Sequence, residues 1–259
     1  MSDKVIIQIL RHLLCHLSRF RINTELLAKR KCEMWNKVTI LDGGMGTELE
    51  RLGAEQVNSH RLWSAIVNVN QPEIVVQAHK NFIAAGARII VANSYQANVP
   101  LFMDALSMTR EEAEKATLDP ILFARQAVAE SGLGKAVLVA GSIGPVIDKP
   151  GCEYNPEYLK RMSLDEIVDW HHDRFRILVG SECDLLAMET IPGIKEIEAL
   201  FVLLRRYPKV ILKPGNVFEL FLRMPISQWS QVHTAPANST RARLGKRRSS
   251  SLRRISQPR

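Results

Sequence analysis

Four short apolar runs, each followed by residues at helical spacing, constrain the fold of this chain more than any other feature. The runs are VTILDGG from Val38, RIIVANSY from Arg88, KAVLVAGSIGP from Lys135 and CDLLAMETIP from Cys183. Each is almost continuously apolar before its polar end, as in parallel strands that are covered on both faces. This alternation of strands and helices predicts an α/β fold with a parallel sheet.

The segments after the runs predict helices. Residues 70–87 have apolar residues at helical spacing and close at Gly86, and residues 193–208 form a similar stretch. Residues 109–134 are helical in pattern, and we expect Pro120 to interrupt them. Residues 156–182 form a further helical region. His171 and His172 are adjacent residues within this region. Adjacent helical residues point about 100° apart, which predicts solvated surface and not a metal site.

Polar residues stand at the C-terminal end of each predicted strand. They are Asp42, then Asn93 and Ser94, then Ser142, and then Glu189 with Thr190. Sites of α/β folds are built at this edge of the sheet, both in barrels and in open sheets. Trp63, in contrast, is interpreted as a packing residue.

The turn after the first run leaves two interpretations of Asp42 open. Its carboxylate either caps the following helix or contacts a ligand. Gly43 and Gly44 let the backbone turn sharply and approach a bound molecule.

Charge divides the chain into three parts. The net charge of +8 comprises +5 in residues 1–37, +9 in residues 210–259 and −6 in the centre. Residues 1–36 form a basic leader with a helical pattern, which is interpreted as a mitochondrial-type targeting segment, a docking helix or a non-conserved extension. Residues 37–209 form the predicted folded domain. Residues 210–259 end in Arg/Ser low complexity, which is typical of disorder.

Composition argues against several classes of protein. No apolar run reaches the roughly 18 residues that a membrane span needs. The basic tail has no interleaved aromatic residues, so no specific nucleic-acid partner is predicted. Four dispersed cysteines indicate a reducing compartment, and we expect a cytoplasmic protein unless residues 1–36 direct it to mitochondria.

Four motifs carry a resemblance to a known family. In this order and at this spacing, VTILDGGMGTEL, IIVANSYQAN, VLVAGSIGP and LLAMETIP resemble the homocysteine S-methyltransferases, over residues 37–209. The resemblance implies a (β/α)8 TIM barrel, of which this chain holds about four βα units. It also implies methyl transfer from a donor such as S-methylmethionine or betaine to the homocysteine thiol, giving methionine. It leaves the donor open.

The resemblance also implies which residues bind homocysteine. Asp42 and Glu189 would hold the amino group, and the Gly43–Gly44 turn would meet the carboxylate. Asn93, Ser94 and Ser142 would complete the site.

The implied cofactor is zinc, which in the family is held by three cysteines. They lie in a G-x-N-C-like segment and a Gly-Gly-Cys-Cys segment, and this sequence contains neither. Its own cysteines, Cys15, Cys32, Cys152 and Cys183, match no ligand position. We therefore expect a truncated or alternatively spliced member that is inactive alone.

Two alternatives stay open on the sequence. The chain is a non-catalytic homocysteine-binding or regulatory isoform that acts through partners, or it associates with nucleic acid or membranes through its basic ends.

The cysteine positions generate a first prediction. The purified full chain should hold no stoichiometric zinc, because its thiols do not occupy the implied ligand positions. Elemental analysis after gel filtration measures this directly. One tightly held equivalent of zinc per chain would show that the interpretation of the cysteines is wrong.

Overall fold

The computed structural model describes residues 39–147, 151 and 153–207. The predicted leader 1–36 and tail 210–259 lie outside these residues, as do Cys15, Cys32 and Cys152. The strands are β1 (Ile89–Val91), β2 (Leu138–Ile143) and β3 (Leu185–Met188). The helices are α1 (Met45–Arg51), α2 (Val67–Asn70), α3 (Pro72–Ala84), α4 (Val99–Leu106), α5 (Arg110–Glu130), α6 (Tyr158–Arg161), α7 (Leu164–Gly180) and α8 (Ile194–Arg206). Short 3-10 helices lie at Trp63–Ile66 and Gly134–Ala136.

The three strands form one parallel sheet in the order β1-β2-β3, which confirms the predicted α/β class. Ile89 pairs with Leu138, and Ala140 pairs in turn with Leu185. Over its described part, from residue 39 on, the first predicted strand is shorter than expected, because Leu41 alone forms a bridge there, to Ile89. Ile40 is 54% exposed, and the glycine turn leaves the ladder directly after Asp42.

Two helical predictions need correction. Helix α5 runs through Pro120 without interruption. A proline inside a helix costs one backbone hydrogen bond. Pro120 is buried, and α5 packs on both α3 and α7, so the packing of the helix offsets this loss. Residues 156–182 form two helices, because Ser163 and Glu166 build a capping box that starts α7.

The prediction for the histidine pair holds for only one of its members. His171 is fully buried, whereas the side chain of His172 is 39% exposed. Adjacent helical residues point about 100° apart, so one of the two faces the interior while the other faces solvent.

The sheet has different surroundings on its two faces. Alternate residues such as Ile90, Val139 and Leu186 join the large core beneath the helices. The intervening residues Ile89, Ala140, Leu185 and Ala187 form a separate small cluster. This period of two matches the alternation of side chains along a strand. None of the described helices is both long and apolar enough to cross a membrane.

His79 is an unusual member of this core. It lies on α3 with no exposed surface, and neither ring nitrogen has a hydrogen-bond partner among the described residues. Burial lowers the pKa of His79 to about 4, from an ordinary value of 6.5. The unfolded chain therefore takes up this proton more readily than the folded one. The free energy of unfolding is therefore unaffected by this proton above pH 6.5, and it decreases as the pH drops from 6.5 toward 4.

A substitution tests this effect. His79→Leu should raise the free energy of unfolding by about 1 kcal/mol at pH 7.5, because it removes buried unpaired nitrogens. It should also remove up to about 3 kcal/mol of the stability loss between pH 6.5 and 4. Urea unfolding at several pH values measures both effects. His172→Gln is the matched control and should keep the acid sensitivity of the parent. Equal acid sensitivity of His79→Leu and the parent would contradict the assignment.

Candidate active site

A cavity of about 740 Å³ opens at the C-terminal ends of the strands. Of the seven residues that the resemblance assigned to the site, all but Ser94 line it: Asp42, Gly43, Gly44, Asn93, Ser142 and Glu189. They come from four separate segments of the chain, more than 140 residues apart at the extremes. Parallel pairing gathers them, because it places the ends of all strands at one edge.

Asp42 is held by the sheet and does not cap α1. Its carboxylate accepts a hydrogen bond of 2.7 Å from the backbone N–H of Val91 at the end of β1. The N-cap of α1 is Gly44, with no side-chain hydrogen bond. The interpretation of Asp42 as a helix cap is therefore wrong. The carboxylate is half-buried at the cavity wall, in a fixed orientation.

Glu189 directly follows β3, and its backbone N–H donates to Ile143 O at 3.1 Å. Its carboxylate accepts a hydrogen bond from the hydroxyl of Ser142, which is fully buried. Ser142 thus orients Glu189 at the end of the neighbouring strand. The half-buried Glu189 and Asp42, with Glu153, give the cavity three carboxylates.

The side chains of Asn93 and Ser94 form hydrogen bonds that fix the chain just after β1. The Asn93 side chain accepts from the Ser64 hydroxyl at 2.7 Å and donates to Asn68 Oδ1 and Ser64 O, both at 2.9 Å. The Ser94 hydroxyl donates to Ser142 O at 2.9 Å and accepts from Ser142 N at 2.8 Å. Ser94 does not line the cavity. These side chains tie the end of β1 to its neighbours.

Several cavity residues escaped the sequence analysis. Trp63, interpreted as packing, lines the cavity, and its ring meets that of Tyr95 edge-on at 6.0 Å and 75°. Burial, and then the charge of Glu153, raise the pKa of the Tyr95 phenol above its usual range. Thr190, which hydrogen-bonds Tyr95, has a positive φ of 58°, unusual for a β-branched residue. Tyr95 lies within the second matching motif, and Thr190 was already noted at the end of the fourth strand, whereas no sequence signal marks Trp63.

The described residues offer no fit for a metal ion. No group of three His, Cys, Asp or Glu side chains among residues 39–147, 151 and 153–207 could hold one. Cys183 is partly buried beneath the end of α7, where its thiol donates to Leu178 O at 3.2 Å. Burial raises the pKa of this thiol, and the residue does not line the cavity.

Gly144 is required by the close approach of Tyr95. A Cβ at residue 144 would lie 2.7 Å from two ring carbons and from the carbonyl oxygen of Tyr95. Gly144→Ala should therefore displace the Tyr95 segment and lower the free energy of unfolding by about 1–3 kcal/mol. Urea unfolding measures the loss.

Gly180→Ala is the matched control, because a Cβ there meets no atom within 4 Å. It should leave stability unchanged or raise it by up to about 1 kcal/mol, since alanine favours a helix over glycine. Equal stability of the two alanine variants would contradict the packing of Tyr95 on Gly144.

Similarity to known proteins agrees with this geometry. The family model described as homocysteine S-methyltransferase matches residues 39–244, extending past Lys209, where the sequence analysis ended the resemblance. The homocysteine S-methyltransferase of Escherichia coli K12 is 36% identical over 178 residues, covering 66% of this chain and 56% of the relative. The betaine-homocysteine S-methyltransferase of Drosophila melanogaster is 33% identical over 181 residues, covering 65% and 55%.

A solved structure gives the same result. The metallated form of the homocysteine methyltransferase MmuM from E. coli superposes with a TM-score of 0.61 at 34% identity, covering 69% of this chain and 63% of that one. The chain thus spans little more than half the length of the curated relatives it matches. On the extent of the family match and the agreement of fold, the chain belongs to the homocysteine S-methyltransferase family.

Proposed function

We propose that the cavity binds homocysteine and that the chain serves methyl transfer to the homocysteine sulfur. The observation that carries the proposal is that Asp42 and Glu189, from the first and last of the four motifs, line the same cavity. Family membership supports it, since the relatives are homocysteine S-methyltransferases. The likeness to MmuM supports the finer inference that the sheet belongs to a (β/α)8 barrel.

The charge of the cavity suits an amino acid. An α-ammonium is bound best by carboxylates that are already oriented, since charge-assisted hydrogen bonds are the stronger class. Val91 N–H orients Asp42, and the Ser142 hydroxyl orients Glu189. The exposed backbone of Gly43 and Gly44 lines the same cavity and lacks Cβ atoms that would keep a carboxylate away.

In the proposed reaction the homocysteine sulfur attacks the methyl carbon of the donor. The thiol loses its proton, and a new S–C bond forms as the bond between the methyl group and the donor breaks. The donor keeps the electron pair of that bond and leaves without its methyl group, and the homocysteine becomes methionine. The nucleophile is the thiolate, and a free thiol of pKa about 8.5 is mostly protonated at pH 7. Zinc would supply this activation in the family. The residues described here do not fit zinc, so their proposed part is to bind and orient the amino acid.

The lack of a fit for zinc among the described residues favours a second candidate function. A chain that binds homocysteine through Asp42 and Glu189 without activating its sulfur would be a non-catalytic homocysteine-binding isoform. Methionine formation separates the two functions. The full chain is incubated with L-homocysteine and either S-methylmethionine or betaine in buffer containing Zn²⁺. Turnover above a no-protein control selects the enzyme, and binding without turnover selects the isoform.

Binding itself is tested by calorimetry with L-homocysteine. Asp42→Asn should weaken binding by about tenfold or more, because the amide can still accept the Val91 hydrogen bond but carries no charge. Glu189→Gln should act in the same direction for the same reason.

Asp184→Asn is the matched control. Asp184 accepts a hydrogen bond of 2.8 Å from Val139 N–H at the opposite end of the sheet and does not line the cavity. Asp184 also pairs with Arg125 at 2.9 Å. Its substitution removes the same charge away from the cavity and should leave the affinity for L-homocysteine unchanged. If all three variants bind as the parent does, the assignment of the two carboxylates is wrong.

A further inference from the structure

A buried polar cluster lies behind the cavity, outside the residues that the resemblance assigned. It consists of Tyr158 on α6, His171 and Arg174 on α7, and Glu196 on α8, each exposed by 1% or less. Glu196 accepts from His171 Nε2 at 2.8 Å and from the Tyr158 hydroxyl. Arg174 Nη2 lies 2.8 Å from His171 Nδ1. Burying these charged groups carries a desolvation cost, so their hydrogen bonds must offset it.

The partners fix the protonation of the histidine. Arginine is only a donor, so His171 Nδ1 accepts and carries no proton. His171 Nε2 then donates its proton to the Glu196 carboxylate. Burial lowers the pKa of His171, in agreement with a neutral ring. His171 thus links the cationic Arg174 to the anionic Glu196 in one defined arrangement.

The cluster also makes hydrogen bonds to backbone groups. Arg174 donates to Tyr95 O at 2.7 Å and to Gly144 O at 2.6 Å. Glu196 accepts from Val146 N–H at 2.7 Å. Tyr95 lies in the loop after β1, and the other two lie in the loop after β2. The cluster therefore clamps the two loops that leave the sheet at the cavity edge.

Tyr95 is the cavity residue that this clamp controls most directly. Its ring packs between Gly144 and the edge of Trp63, and its phenol hydrogen-bonds Thr190 next to Glu189. A movement of the Tyr95 backbone would move the phenol, Thr190 and the adjoining carboxylate together.

We propose that Arg174, held by His171 and Glu196, is a positioning residue that places the Tyr95 phenol at the wall of the candidate homocysteine site. The inference rests on the proposed function. The guanidinium bridges two carbonyls from different loops, which the single ammonium of lysine cannot reproduce with the same fork geometry.

A double-mutant cycle separates positioning from simple stabilisation. The parent, Arg174→Lys, Tyr95→Phe and the double variant are compared by calorimetry with L-homocysteine and by urea unfolding. Each single substitution should weaken binding by about tenfold, and the double variant should be no weaker than the worse single one. The effects on unfolding should in contrast add. Additive losses of affinity, or unchanged affinity in Arg174→Lys, would overturn the proposal.

Arg176→Lys is the matched control. Arg176 lies on the same helix, but its half-exposed side chain pairs with Glu114 and has no bond to either loop. It should bind L-homocysteine as the parent does. If Arg174→Lys does not fold, His171→Gln, which keeps both charges of the cluster, takes its place.

A second measurement needs no ligand. Hydrogen exchange of the peptide that contains Gly144 and Val146 should become faster in Arg174→Lys, while peptides of α5 and the Arg176→Lys control stay unchanged. Unchanged exchange of this peptide would overturn the positioning role. Absence of homocysteine binding by the parent would overturn the proposed function alone, and the exchange result would still decide the role of Arg174.

Discussion

The parallel pairing of β2 with both β1 and β3 is the constraint on which the site depends. It sets the ends of three strands at one edge, where the chain must leave the sheet in loops. The first segment joins the same edge through the Leu41 bridge and the hydrogen bond from Val91 N–H to Asp42. Without this alignment, Asp42 and Glu189 would not line one cavity.

The polar residues at this edge divide into two sets. Asn93, Ser94 and the cluster around Arg174 use their hydrogen bonds to fix backbone groups. Asp42 and Glu189 each accept an orienting bond, at Val91 and Ser142, and also face the cavity. Rigidity around the cavity and charge within it are therefore supplied by different residues, which favours preorganised binding.

The parallel strands and much of the cavity wall could be predicted from the sequence, because their signals lie in short local patterns of residues. Continuous apolar runs predicted the parallel strands, and their polar ends predicted the residues of the cavity wall. The rest depended on contacts between distant segments. Pro120 stays helical because of packing on α3 and α7, and His171 is buried because Glu196 and Arg174 meet it. No local pattern indicates that Tyr95 needs Gly144, 49 residues later.

The measurement that tests the account most directly is a crystal structure of the full chain with bound L-homocysteine. The account predicts that the ammonium lies within about 3 Å of the carboxylates of both Asp42 and Glu189. It also predicts the ligand carboxylate at the Gly43–Gly44 backbone. Homocysteine bound elsewhere, or bound in the cavity with its ammonium away from both carboxylates, would contradict it.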